Sequence, residues 1–318
     1  MPNYQGVWSL STQFQNASGW PSPFAASIAL FSGGGSGGYS NVMQYIDLTA
    51  LGNSTDFGDL TTSRGASGSC GSATRILIAG GDDAGTTPYL QSIDYVETSS
   101  TGNASDFGDL THIAFGPAGA SNSTRGIFFG GYVTGAPTNQ IDYVTIASTG
   151  NALDFGDMGI DLYILGACQS PTRALHGGGF PSAGGTQNRI EYVTIASTGN
   201  STDFGDLTTA RNALCGFSSS TRGIFAGGSG YSNVMDYVTI ASTGNALDFG
   251  DLVNSVGYLG GASSSTVGVI AGGYNGSTGV NVMQNVTIAS TGNATDFGDL
   301  LAINYQLVGA SNAHGGLS

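Results

Sequence analysis

Met235-Asp-Tyr-Val-Thr-Ile-Ala-Ser242 runs directly into Thr243-Gly-Asn-Ala-Leu-Asp-Phe-Gly-Asp-Leu252, and the chain keeps returning to this phrase. Its Asp-Phe-Gly-Asp segment occurs six times, around Phe57, Phe107, Phe155, Phe204, Phe249 and Phe297, at intervals of 50, 48, 49, 45 and 48 residues. A fixed period of this length marks a repeat architecture, in which one small unit buries its apolar face against the next copy. The 318 residues therefore reduce to one unit used six times.

Working outward from the phrase, the segment before it reads Thr221-Arg-Gly-Ile-Phe-Ala-Gly-Gly228, and an apolar stretch, Val256-Gly-Tyr-Leu-Gly-Gly-Ala262, follows it. The apolar pieces are short, β-branched or aromatic, and bounded by Gly, Ser and Asn, so they read as strands. No helical period spans ten residues after residue 26. Four strands per unit in six units predict an all-β, six-bladed β-propeller. The first blade, opening at Ile28-Ala-Leu-Phe-Ser-Gly-Gly34, lacks an innermost strand, while Leu307-Val-Gly-Ala-Ser-Asn312 is an orphan after the last repeat. Joining the two closes the ring and removes free sheet edges. Residues 27–318 are thus the propeller, and residues 1–26 a separate capping or attachment segment bearing Trp8, Phe14 and Trp20.

The order of a Gly-Gly strand end, a Tyr, an aromatic and an Arg before the next inner strand resembles the kelch repeat. Here it falls on Gly227, Gly228, Tyr237, Phe249 and the preceding unit's Arg211, with Phe where kelch repeats carry Trp. Ser54-Thr-Asp-Phe-Gly58 also resembles the Asp-box turn of sialidase-type propellers without its closing Trp. The near-verbatim Tyr-Val-Thr-Ile-Ala-Ser-Thr-Gly-Asn-x-x-Asp-Phe-Gly-Asp-Leu unit is similar to repeats in tail-fibre and other virion proteins of marine bacteriophages. That resemblance implies a virion protein made in the host cytoplasm, and residues 1–26 as its link to other virion proteins.

Composition narrows the function. The chain has no Lys, seven Arg and a net charge of −14, and 12 of its 21 acidic residues belong to the six tetrapeptides. Nucleic acid and anionic membranes call for a basic footprint that is missing. No apolar run is long enough to cross a bilayer. Cys70, Cys168 and Cys215 are odd in number and far apart, which reads as free buried thiols rather than disulfides. Eight Asn-x-Ser/Thr sequons read as the yield of a Ser/Thr/Asn-rich repeat.

Catalytic and metal readings are weak. His112, His176 and His314 fall in different units without metal-ligand spacing, so the copper site of kelch-type oxidases is not supplied, and His176 reads as a tolerated variant in a Gly-Gly strand. Arg75, Arg125, Arg173 and Arg222 open the second strands and share a structural task, which leaves Arg64, Arg189 and Arg211, too few for a sialidase site. The Asn-x-x-Asp-Phe-Gly-Asp segment reads first as a hairpin turn joining the third and fourth strands, with Phe packing blade to blade. A calcium loop is its second reading. No cofactor is implied.

The connections between second and third strands differ in every unit, and each carries one aromatic: Tyr39, Tyr89, Tyr132, Phe180, Tyr231 and Tyr274. Tyr163, Tyr258 and Tyr305 follow the 4–1 linkers, which leave the ring on the same side. One face is expected to be uniform and the other individualised. Tyr, Asn, Ser and Gly on short loops suit an adaptable binding surface. The expectation is a non-enzymatic virion protein, on a tail fibre or surface attachment, that holds a host glycan or protein on this face. The alternatives are a polysaccharide-degrading propeller, for which Asp82, Asp83 and Asp161 are the candidate acids, and an architectural capsid or tail decoration.

Overall fold

The computed structural model describes residues 27–83 and 89–317; the terminal segment with Trp8, Phe14 and Trp20 lies outside them. Each blade is an antiparallel sheet of four strands. In chain order, innermost to outermost, blade 2 is Gly68–Gly71, Arg75–Ala79, Ser92–Glu97 and Ser105–Asp109. Blade 3 is Ala118–Ser121, Arg125–Phe129, Gln140–Thr145 and Leu153–Asp157, with a small extra hairpin, Tyr132–Val133 against Ala136–Pro137, in its upper loop. Blade 4 runs Gly166–Gln169, Arg173–Gly177, Arg189–Thr194 and Thr202–Asp206, and blade 5 runs Cys215–Ser218, Arg222–Ala226, Val234–Thr239 and Leu247–Asp251. Blade 6 is Gly260–Ser263, Val267–Ala271, Val280–Thr287 and Thr295–Asn304. Blade 1 contributes Ile28–Ser32, Val42–Asp47 and Thr55–Asp59, and its innermost strand is the C-terminal Val308–Ser311, paired Leu30 to Ala310 and Phe31 to Gly309. The ring closes as its sequence requires.

The Asp-Phe-Gly-Asp segment is not the hairpin turn expected of it. It forms the outermost strand, and the turn is the preceding Ser-Thr-Gly-Asn stretch. A β-bulge explains the misreading. Gln44 pairs with Asp56 and Met43 with Gly58, so Phe57 is the extra, unpaired residue, and the same shift recurs at Phe107. A bulge redirects a side chain; here it buries Phe57 and leaves Asp56 exposed on the edge. Phe57 joins Met43 and Leu60 of its own blade to Ile76, Ile78 and Val96 of the next. Every junction between neighbouring blades carries such a cluster. Burying a Phe this completely against well-packed neighbours is worth about 3 kcal/mol or more.

The verbatim part of the repeat is the seam between blades. Gly102 N–H of blade 2 donates to Phe57 O of blade 1 at 2.8 Å, and Asn103 Oδ1 accepts the Asp59 N–H at 3.1 Å. The Asn-to-Asp staple recurs at all six junctions at 3.0–3.2 Å, ending with Asn53 on Asp299. Gly58, at φ +144°, has no room for a side chain, because a Cβ would sit 2.4 Å from Gly102 O. The Tyr–Phe pairs of blades 1 to 5 meet edge to face, at interplanar angles of 76–82°. The four second-strand arginines do share one task. Each guanidinium lies 4.4–4.8 Å from the ring of its blade's Tyr, a cation–π contact, and donates to an Ile carbonyl of the next blade.

Along the channel the inner strands are stitched by hydroxyls: Ser121 donates to Gly71 O at 2.7 Å, Ser218 to Gln169 O at 2.6 Å, Ser263 to Ser218 O at 2.8 Å, and Ser311 to Ser263 O. The chain then turns across the lower end of the channel. His314 is buried there, with Nε2 2.8 Å from Gly71 O and Nδ1 accepting the Gly316 N–H at 3.1 Å. The three cysteines are free and buried in the inner strands of three different blades.

Candidate ligand-binding face

The upper face is built by two sets of connections, second to third strand within a blade and outermost to innermost strand between blades. Their inner ends form a closed ring. Ala66, Gly116, Ile164, Ala213, Tyr258 and Gln306 occupy one position in six linkers, all with φ between 48° and 68°. Each donates its backbone N–H to the carbonyl of the preceding member at 2.7–2.8 Å. The left-handed conformation costs a non-Gly residue roughly 1 kcal/mol, and a β-branched residue such as Ile164 rarely adopts it. The ring narrows the channel mouth to a cavity of about 100 Å³, room for a few water molecules rather than an organic ligand.

Aromatic side chains surround this mouth. Each double glycine exits its strand and meets the linker; Gly81 N–H, for instance, donates to Ala114 O at 2.7 Å. The residue after it bridges to a linker residue, which brings Tyr132 to Phe115, Phe180 to Tyr163 and Tyr274 to Gly257. Two aromatic runs result. The longer one contains Tyr89, Phe115, Tyr132, Tyr163 and Phe180, with neighbouring ring centroids 5.1–6.2 Å apart. The shorter contains Tyr231, Tyr274 and Tyr305, at 5.7 and 5.3 Å. Tyr39 stands between the runs, its hydroxyl 3.1 Å from Asp82 Oδ2. The expected site residues therefore gather into two groups plus Tyr39; Phe115 and Tyr163 in the linkers join the longer run and Tyr305 the shorter. Burial raises the phenol pKa of Tyr39, where Asp82 adds to the effect, and of Tyr89, Tyr163 and Tyr258. These hydroxyls stay protonated, that of Tyr39 already donating to Asp82.

Beneath the face lies a feature that the sequence alone did not bring out. The residue before the third-strand Tyr, or before Asn285 in blade 6, is buried and polar in every blade: Gln44, Asp94, Asp142, Glu191, Asp236 and Gln284. Each accepts a backbone N–H from the preceding linker, as Asp94 does from Thr61 at 2.9 Å and Gln284 from Val253 at 2.6 Å. Where this residue is acidic, a basic one faces it. Arg64 Nη2 is 3.2 Å from Asp94, Arg211 pairs with Asp236, His112 Nδ1 is 3.6 Å from Asp142, and both His176 and Arg189 adjoin Glu191. Where it is Gln, no Arg or His pairs with it among the described residues: the linker position of Arg64 and Arg211 is Val256 before Gln284 and Asn304 before Gln44, and it is also uncharged, as Ala114 and Leu162, before Asp142 and Glu191, whose bases come from other positions. His176 is thus a partner of Glu191 rather than a bystander. Burial alone would raise the Glu191 pKa, but His176, the Ser201 hydroxyl and the Gly159 N–H outweigh it and hold it at about 2. The missed signal was an acid or its amide recurring once per unit inside an apolar strand.

Asp82 and Asp161 stand at different junctions, Asp82 bonded to Tyr39 and Asp161 accepting the Ser182 N–H at 3.3 Å. Among the described residues no three His, Cys, Asp or Glu side chains are grouped to hold a metal ion. Fold and faces define a six-bladed β-propeller with one uniform side and one individualised, aromatic side. No protein-family model and no curated protein matches the chain.

Proposed function

We propose that this propeller is a non-enzymatic binding module whose individualised face holds a glycan or protein on a host surface. One observation carries the reading: among the described residues, the aromatic side chains outside the blade packing gather on this face, around a mouth of about 100 Å³. Half-exposed Tyr among Ser, Asn and Gly gives rigid contact area with hydroxyls for hydrogen bonding. The invariant part of the repeat is absorbed in stitching blades together, which leaves the variable loops as the part free to differ. The kelch-like repeat order is compatible with such a module. The setting, a phage virion with the ring on a tail fibre or surface attachment held through residues 1–26, is supported by the resemblance of the repeat phrase alone.

Adhesion of the purified full chain to host cell envelopes tests the proposal. Tyr163→Ala, at the centre of the longer run, is expected to weaken adhesion at least tenfold. Leu247→Ala, at a residue 59% exposed on the outermost strand of blade 5, leaves it unchanged. Equal adhesion of wild type and Tyr163→Ala would move the site elsewhere.

A further inference from the structure

The charge on the aromatic face restricts what it can hold. Resting on the binding reading above, we infer that its ligand is a chain of uncharged sugars, and that acidic saccharides are rejected.

The chain has no Lys, and all seven Arg lie within the described residues. Four of them open the second strands, at the lower end of the blades, and are held against Tyr rings and neighbouring carbonyls. Arg64 and Arg211 are in upper linkers, but they are fully buried and paired with Asp94 and Asp236. Arg189, partly exposed at the upper end of its strand, is drawn onto the buried Glu191, which it shares with His176. No arginine on this face is without a carboxylate partner, and Arg189 alone is partly exposed there; recognition of acidic groups relies on Arg or Lys.

The acids are placed the opposite way. Asp82 lies close enough to the Tyr89 end of the longer run to raise that phenol's pKa, and Asp161 caps Ser182 in the loop that carries Phe180 at the other end. An acidic sugar laid along the rings would meet a carboxylate at each end, and like charges brought together on a partly desolvated surface repel. The rings themselves are compatible with a neutral chain. Tyr89, Tyr132, Tyr163 and Phe180 follow one another at 5.9, 5.1 and 5.9 Å, each ring turned edge to face against the next, so the row offers a corrugated surface of ring edges and faces with phenol hydroxyls rather than one flat platform. Sugars pair apolar C–H faces with hydroxyls, which matches tyrosine rings and their phenols.

Calorimetric titration of the full chain tests this with neutral agarose oligomers against sulfated carrageenan oligomers, and with fully methyl-esterified oligogalacturonate against the free acid of the same length. In at least one pair the neutral member is expected to bind tenfold or more tightly than its acidic counterpart. Its affinity should change less than twofold as NaCl rises from about 50 to about 500 mM, since no ion pair is there to be screened. Tighter binding of an acidic member overturns the inference. So does Tyr163-dependent adhesion to host envelopes that persists after enzymatic removal of their glycans; that result points to a protein receptor and leaves the binding reading standing. Adhesion to neither envelopes nor sugars defeats both.

Discussion

The backbone N–H of Ala66 donates to the carbonyl of Gln306 at 2.8 Å, joining the first linker of the ring to the last. It is the closing member of the six-membered cycle at the channel mouth. The next member of the cycle, the Gln306 N–H donating to Tyr258 O at 2.8 Å, spans the blade 6 to blade 1 junction, as do Asn53 on Asp299 at the outer rim and Ser311 on Ser263 in the channel wall. A single closing strand, Val308–Ser311, is thus supported at three radii. That redundancy lets the upper loops vary without opening the ring.

The rim seam depends on glycines of two kinds. Gly58→Ala is expected to destabilise the protein by at least about 2 kcal/mol, combining an unfavourable backbone angle with a steric clash. Its contact partner Gly102 faces open space, with no atom within 4 Å of where a Cβ would sit, so Gly102→Ala should stay within about 1 kcal/mol. Chemical denaturation of the two variants checks the pair. Equal effects would mean that blade contact does not impose the glycine.

The buried ion pairs give a sharper test. Arg64→Asn leaves Asp94 charged and without its cation, and removing one partner of a buried pair costs about 3–5 kcal/mol. Adding Asp94→Gln reproduces the neutral Asn304 and Gln44 arrangement found at the blade 6 to blade 1 junction. The double variant should recover most of the loss in a double-mutant cycle. Additive losses would show that the matching of charges across the six junctions has no energetic basis.

The period, strand count and ring closure are legible in the sequence because each is written redundantly, and so is the place of Phe57 between blades. What escapes the sequence is local. Gly58 suggests a turn because a glycine beside two Asp usually marks one, whereas its positive φ serves a bulge within a strand. The upper-face aromatics Tyr132, Phe180 and Tyr274 are legible from their loops. Phe115 is not, since a linker aromatic beside Ala114 looks like core until the linker's path is known. Glu191 and its partners His176, Arg189 and Ser201 come from strands and connections that only the register brings together.

The cysteines should be inert in the folded protein. Burial pushes the thiol pKa up to about 12 at Cys70 and Cys215, and raises it at Cys168 as well. The thiolate is the reactive form. Alkylation under native conditions is therefore expected to be negligible over hours and complete for all three in denaturant, as read by intact-mass spectrometry. Rapid native labelling of any one would show that its inner strand opens.

The tail across the channel ties stability to pH. Its hydrogen bonds assign a neutral His314, with Nε2–H donating to Gly71 O and Nδ1 accepting from Gly316, so a second proton would break the latter bond. Burial, opposed by the Gly71 carbonyl, lowers the pKa to about 4, against about 6.5 in an unfolded chain. Between these values the unfolded state binds a proton that the folded state does not. Stability must therefore fall as pH drops from about 6.5 to about 4, by up to about 3 kcal/mol from this residue. Glu191 adds a loss of the same sign at lower pH, since its folded pKa of about 2 lies below the ordinary carboxylate range. His314→Asn should flatten the upper part of the profile and leave the lower part intact. Thermal unfolding at half-unit steps from about pH 7.5 to about pH 2 measures both, and hydrogen exchange at Gly316 reports whether the tail leaves first. A profile unchanged by His314→Asn would mean that the imidazole binds its proton equally well folded and unfolded, against its burial and the geometry of its two hydrogen bonds.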